Sequence, residues 1–144
     1  QKADARANFF GMSLSTNKND IARAVLEGIC FEMRDILNAQ EAAGVEVGTI
    51  RLVGGAANSK FWSQMLADSL GHPIEILSSN QAGCLGAAMY AGVGVGAYKD
   101  CEEAAKRAVK VSARYEPNPE VAAAYDDAFE KFVKCYDSLD GNLF

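Results

Sequence analysis

The stretch from Ile50 to Gln64, IRLVGGAANSKFWSQ, constrains this chain more than any other. It reads as a short apolar strand, Ile50 to Val53, then a glycine pair, Gly54 and Gly55, and a fresh helix. Asn58 or Ser59 caps that helix, which carries Phe61, Trp62, Met65 and Leu66 on one side. Short apolar strands of this kind want helices on both faces and neighbours on both edges, so the chain reads as α/β. A strand, a side-chain-poor turn and a helix N-terminus make a natural seat for a phosphate. Backbone N–H groups point outward there, and the helix dipole favours negative charge. A Cβ at either glycine would block close approach of a ligand and forbid positive φ. The same residues also serve a tight turn with no ligand, and they match neither the Walker loop nor the GxGxxG fingerprint. Both readings stay open on the pattern alone.

Upstream, Asn8 to Leu14 is an extended-looking apolar segment, followed by a polar turn from Ser15 to Lys18. Asn19 is placed as an N-cap with Asp20 in the first turn. Ile21, Val25, Gly28, Ile29, Met33, Ile36 and Leu37 then recur at helical spacing. This predicts a long core helix from Asp20 to Ala43, ended by Gly44. Downstream, Gly71 ends the second helix, and Pro73 to Leu77 alternates as a strand. Asn80 to Ala91 reads as a helix rich in small residues: Ala82, Gly83, Gly86, Ala87 and Ala88. Their low helix propensity suggests close approach of something else, a packed neighbour at Gly86 and Ala87, and either a neighbour or a ligand at Gly83. Asp100 and Glu103 form a capping box for a short helix to Val109. Lys110 to Glu116 reads as a link. Asn118-Pro119 then opens a terminal helix to about Leu139, with Val121, Tyr125, Phe129, Phe132 and Tyr136 on its apolar stripe.

Five helices stand against two or three strands, where an ordinary sheet holds about five or six. The chain therefore reads as the closing half of a sheet and a piece of a larger protein, and its first residue is Gln1 rather than Met. A sheet cut open in this way exposes an edge that invites pairing between chains. A non-catalytic binding or assembly module is thus the rival to any enzymatic reading, and a homodimer is an expected partner state. The size, 144 residues with 49% hydrophobic, suits one globular domain. A net charge of −5 speaks against nucleic acid as a partner. No apolar run approaches membrane-spanning length, which speaks against a membrane. Cys30, Cys84, Cys101 and Cys135 form no CxxC pair and read as buried, reduced thiols of a cytoplasmic protein rather than disulfides or metal ligands. His72 has no partner at ligand spacing and takes no role.

With these residues in view, the chain resembles the FGGY family of carbohydrate kinases, and within it the C-terminal part of xylulokinase-type members. Two motifs carry the resemblance. One is Ala7, Phe9, Gly11 and Met12, then Asp20-Ile21 and Ala24 to Glu27. The other is Gly54, Gly55, Ala57, Ser59, Trp62 and Gln64, then Ala67-Asp68 and Gly71. Leu85 to Ala88 and the Tyr115 to Pro119 turn are family-like as well. The third glycine of the family's run is Ala56 here, and Gln81 stands where many members have an acidic residue.

The resemblance implies an actin-like ATPase (ribonuclease H-like) architecture, in which two related domains close on MgATP and a sugar. Residues 1–144 would be part of the C-terminal ATP-binding domain, partnered by an N-terminal kinase domain. The implied reaction is ATP-dependent phosphorylation of a sugar hydroxyl, on xylulose or a related ketopentose, with gluconate, glycerol or another polyol as the alternative. Gly54, Gly55 and Ala56 would lie against ribose and phosphates, Asn58 and Ser59 would meet the adenine, and Gly83 would leave room across the cleft. ATP and Mg2+ are the implied cofactors. The general base and the sugar-binding residues belong to the family's N-terminal domain, so no catalytic residue and no metal ligand is assigned here, and the fragment alone is expected to be inactive.

Overall fold

A capping box starts the first helix. In the computed structural model, which describes residues 7–79 and 81–139, the Asn17 side chain accepts from the Asn19 and Asp20 N–H groups, and the Asp20 carboxylate accepts from the Asn17 N–H. The cap lies two residues ahead of Asn19, because only from Asn17 does an acidic side chain stand at the third helical position to reach back. The described elements run in the order α1 (Lys18–Ala42), β1 (Ile50–Leu52), a 3-10 turn (Gly55–Asn58), α2 (Lys60–Leu70), β2 (Ile74–Leu77), α3 (Ala82–Gly94), α4 (Cys101–Ala108), β3 (Val111–Tyr115) and α5 (Pro119–Leu139). They divide into two compact units. The first takes the residues up to 46, residues 68–71 and those from 118 onward; the second takes 47–67 and 72–117.

The core of the first unit is aromatic. Phe31 on α1 is buried and meets Tyr125, Phe129 and Phe132 of α5 at centroid distances of 6.3, 6.0 and 5.6 Å. Arg34 lies over the Phe129 ring at 4.7 Å and pairs with Asp126, and Arg23 donates to the Tyr125 hydroxyl at 3.2 Å. Asn118 caps α5 through the Glu120 N–H, and its own N–H donates to Asp68. The buried side of α1 is only in part the predicted one. Leu37 of the predicted stripe is buried, together with Cys30 and Phe31, whereas Val25, Ile29, Met33 and Ile36 are exposed. Periodicity locates an apolar stripe, but α1 carries two, and only contact with α5 decides which is covered. Residues 8–14 form no strand; Phe10 and Leu14 stand fully in solvent.

The second unit holds the sheet, in the order β1-β2-β3. β1 and β2 are parallel, with Ile50 opposite Ile74, and β2 and β3 are antiparallel, with Ile74 opposite Tyr115. The third strand is thus Val111–Tyr115, in the stretch read as a link. One sheet face is charged: Glu75 takes both Arg51, at 3.3 Å, and Arg114, at 3.0 Å. β1 therefore does not need a helix on both faces, since a cross-strand ion-pair row can face water. Beyond the sheet, Tyr98 folds back on α3, where a Cβ at Gly92 would come within 2.6 Å of its ring. No described residue of α3 is buried; Asn80, the expected start of this helix, lies outside the described residues. Trp62 on α2 is half-buried. Among the described residues no helix is long and apolar enough to cross a membrane.

Candidate nucleotide site

Gly54 follows β1 with φ 82° and ψ −159°, a region open essentially to glycine alone. That geometry turns the chain out of the sheet and into the Gly55–Asn58 turn, closed by Ala57 N–H to the Gly54 carbonyl at 3.2 Å and Ser59 N–H to the Ala56 carbonyl at 3.1 Å. Ser59, not Asn58, caps α2: its Oγ accepts from the Trp62 N–H at 3.2 Å. Since that bond uses an oxygen lone pair, the Ser59 hydroxyl hydrogen is still available to donate. Asn58 is exposed, and its carboxamide makes no hydrogen bond among the described residues.

The glycines differ in why they lack a side chain. A Cβ at Gly54, Gly55 or Gly83 would meet nothing within 4 Å. At Gly54 the backbone itself demands glycine. Gly55 and Gly83 have no positive φ and no crowding neighbour, so neither folding geometry nor local packing requires them. Each borders open space that a ligand could occupy. Gly83 is the second residue of α3, whose N-cap, Gln81, makes no side-chain capping bond, leaving first-turn N–H groups without a side-chain acceptor.

A cavity of about 370 Å3 opens at the C-terminal ends of β1 and β2. Leu52, Val53, Ile76 and Leu77 give it apolar walls; Asn58, Ser78, Ser79 and Ser112 give it a polar rim, with no charged side chain in its lining. Carboxyl ends of parallel strands are where open α/β sheets form ligand crevices. Of the six predicted residues only Asn58 lines this cavity. Gly54, Gly55, Ala56 and Ser59 flank it along the chain, and Gly83 is not in its lining. The three serines are additions. Ser78 and Ser79 close β2 and were findable from the strand-end rule, whereas Ser112 lay in a stretch read as a link. Two of them are already engaged: Ser112 donates to the Ile76 carbonyl, and Ser79 accepts from the Gln81 N–H. Tyr125, whose phenol burial pushes above its ordinary pKa, lies in the aromatic core of the first unit rather than here.

The family model for the C-terminal domain of the FGGY family of carbohydrate kinases matches residues 1–95. A xylulose kinase of Staphylococcus epidermidis is 34% identical over 137 residues, covering 95% of this chain and 27% of that protein. A glycerol kinase of Lactococcus lactis is 39% identical over 101 residues, covering 69% of this chain and 20% of that protein. Among solved structures, a ligand-bound xylulose kinase from Lactobacillus acidophilus superposes with a TM-score of 0.88 at 29% identity, over 96% of this chain and 28% of that one. The chain thus spans about a quarter of the length of the relatives it matches.

Proposed function

The chain belongs to the FGGY family of carbohydrate kinases, and from that premise we propose that the protein it is part of moves the terminal phosphoryl group of ATP to a hydroxyl of a small sugar. Its fold, helix-rich α/β with a small sheet, is that of the actin-like ATPases to which the matched kinases belong. These residues supply the nucleotide side, as part of the C-terminal ATP-binding domain. The observation that carries this reading is Gly54: a glycine-only backbone at a strand end, followed by Gly55, with open space where each side chain would be.

In this scheme the N–H groups around Gly55 and Ala56 face the phosphates, Asn58 and the Ser59 hydroxyl meet the base, and Gly83 keeps the far wall clear. ATP would bring the phosphoryl group, and Mg2+ would supply charge neutralisation for it. Among the described residues there is no group of three or more His, Cys, Asp or Glu that could hold a metal ion. Phosphoryl transfer rests on positioning and charge neutralisation by parts from both domains. The sugar contacts and the general base come from the N-terminal kinase domain, and residues 1–144 alone are inactive. The substrate is xylulose or a related ketopentose, as in the xylulose kinase matched over 95% of the chain, with gluconate, glycerol or another polyol as the second reading, since glycerol and gluconate kinases match over nine tenths of it as well. Four free thiols, of which Cys30 is buried but Cys84 and Cys101 are exposed rather than buried as expected, accord with a cytoplasmic location, and a homodimer is compatible with the open sheet edge.

The test is isothermal titration of the full-length enzyme with Gly55→Asp. A carboxylate would occupy phosphate space, so ATP binding should be greatly weakened. Unchanged affinity would remove this loop from the nucleotide site.

A further inference from the structure

We infer that Ser112 is a positioning residue for the base of the nucleotide. It makes a bulge in β3 opposite the end of β2, ties that bulge to the Ile76 carbonyl, and so sets the place of the serine rim. This rests on the reading of the glycine loop and its cavity as the nucleotide site.

The ladder between β2 and β3 begins in regular antiparallel order, with Ile74, Glu75 and Ile76 opposite Tyr115, Arg114 and Ala113. In an unbroken ladder Ser112 would come next, opposite Leu77. Instead Leu77 faces Val111, and no residue of β2 stands opposite Ser112. The shifted register then continues, since the Ser78 N–H donates to the Lys110 carbonyl at 2.8 Å. One extra residue in one strand of an antiparallel pair is a β-bulge, which bends the strand, raises the local twist and re-aims neighbouring side chains. Here the Ser112 hydroxyl fastens the bulge by donating to the Ile76 carbonyl at 3.1 Å. Alanine at this position has no such bond to give.

The bulge falls where the cavity begins. Ile76 and Leu77, the residues across from it, are cavity wall, and Ser78 and Ser79, the next two, are polar rim. Ser79 accepts from the Gln81 N–H at 3.2 Å, so the direction in which β2 leaves the sheet carries on to the N-cap of α3. Aliphatic walls with uncharged hydroxyls suit a nucleobase rather than a triphosphate. The flat ring lies against the apolar side chains, and a few placed polar groups meet its edge. A rim displaced along the strand keeps the walls and loses those edge contacts. β3 lies beyond residues 1–95, which the family model matches, and neither family motif includes Ser112.

The experiment titrates MgATP and, separately, inorganic tripolyphosphate with Mg2+ into the full-length kinase and its Ser112→Ala, Ser112→Thr and Ser112-deleted variants. Tripolyphosphate carries the phosphates without a base. Ser112→Ala should weaken ATP binding roughly two- to tenfold, the worth of one edge hydrogen bond, and leave tripolyphosphate unchanged. Ser112→Thr, which keeps the hydroxyl, should restore the affinity for ATP. Deleting Ser112 restores an unbroken ladder, so that variant should unfold in urea near the parent midpoint and still bind ATP more weakly; if it does not fold, Ser112→Ala alone decides. Parental ATP affinity in a folded Ser112→Ala or deletion variant overturns the proposal. So does an equal loss for ATP and tripolyphosphate, which would mean a general loosening of the site. Gly55→Asp in the same titrations separates the two claims: if it leaves ATP binding intact, the nucleotide reading itself fails, and if it abolishes binding while Ser112→Ala has no effect, only the role of Ser112 falls.

Discussion

Gly54 and Gly55 are adjacent, yet replacing each by alanine should have opposite effects on folding. At Gly54 the φ of 82° and ψ of −159° put an L-residue in a region that costs roughly 1 to 3 kcal/mol. No steric clash adds to this, since the new methyl meets nothing within 4 Å. Gly55 has no positive φ and equally open space, so alanine there restricts the unfolded chain and stabilises by about 0.4 to 1 kcal/mol. Nucleotide binding should reverse the order of merit for Gly55→Ala. A methyl between the backbone and a phosphate would remove one charge-assisted hydrogen bond, worth roughly 1.5 to 3 kcal/mol, or a loss of about ten- to a hundredfold in Kd. The assay pairs urea denaturation with titration of ATP into the full-length enzyme. Gly55→Ala should raise the unfolding midpoint slightly and weaken ATP binding, whereas Gly54→Ala should lower the midpoint. A Gly55→Ala enzyme that binds ATP normally would refute the claim that phosphates lie against this backbone. A Gly54→Ala protein of unchanged stability would refute the strained turn.

Three further outcomes follow from the packing. Phe31→Ala empties the centre of the aromatic cluster and should cost about 3 to 5 kcal/mol in a denaturant titration; under 1 kcal/mol would contradict its burial. Gly92→Ala drives a methyl to 2.6 Å from the Tyr98 ring, a strain of about 1 to 3 kcal/mol that outweighs the gain of about 1 kcal/mol in helix propensity. In a Tyr98→Ala background the same substitution should stabilise, and a stabilising effect with Tyr98 present would sink the contact. Burial raises the pKa of Tyr125, with the Arg23 guanidinium pulling the other way, so the folded state disfavours the ionised phenol. That contribution to stability is complete below the unfolded value of about 10 and is lost as pH rises through the raised folded value. Tyr125→Phe, destabilised by about 0.5 to 1.5 kcal/mol near pH 8 through loss of the Arg23 bond, should keep that gap to the parent up to about pH 10 and close it only as pH rises from there through the raised folded value. A constant gap would refute the assignment.

Local chemistry was legible in advance wherever one residue settles the backbone. Gly44, Gly54 and Gly71 take positive φ where they were read as helix ends or turns, and Asp100 and Asn118 cap the helices they precede. The glycine loop, the strand before it and the helix after it could all be read because short-range sterics and hydrogen bonding decide them. β3 could not, since Val111–Tyr115 is a strand only by pairing with β2, a partner more than thirty residues away in the chain. Nor could Ser112 be assigned to the cavity rim before that pairing brought it there. The same limit applies to α1. Sequence alone determined that it is a helix with apolar side chains in rows. Only the tertiary structure decided that Phe31 faces the aromatics of α5 while Val25 and Ile36 face outward, because burial is a property of which surfaces meet, and periodicity cannot distinguish two stripes on one helix.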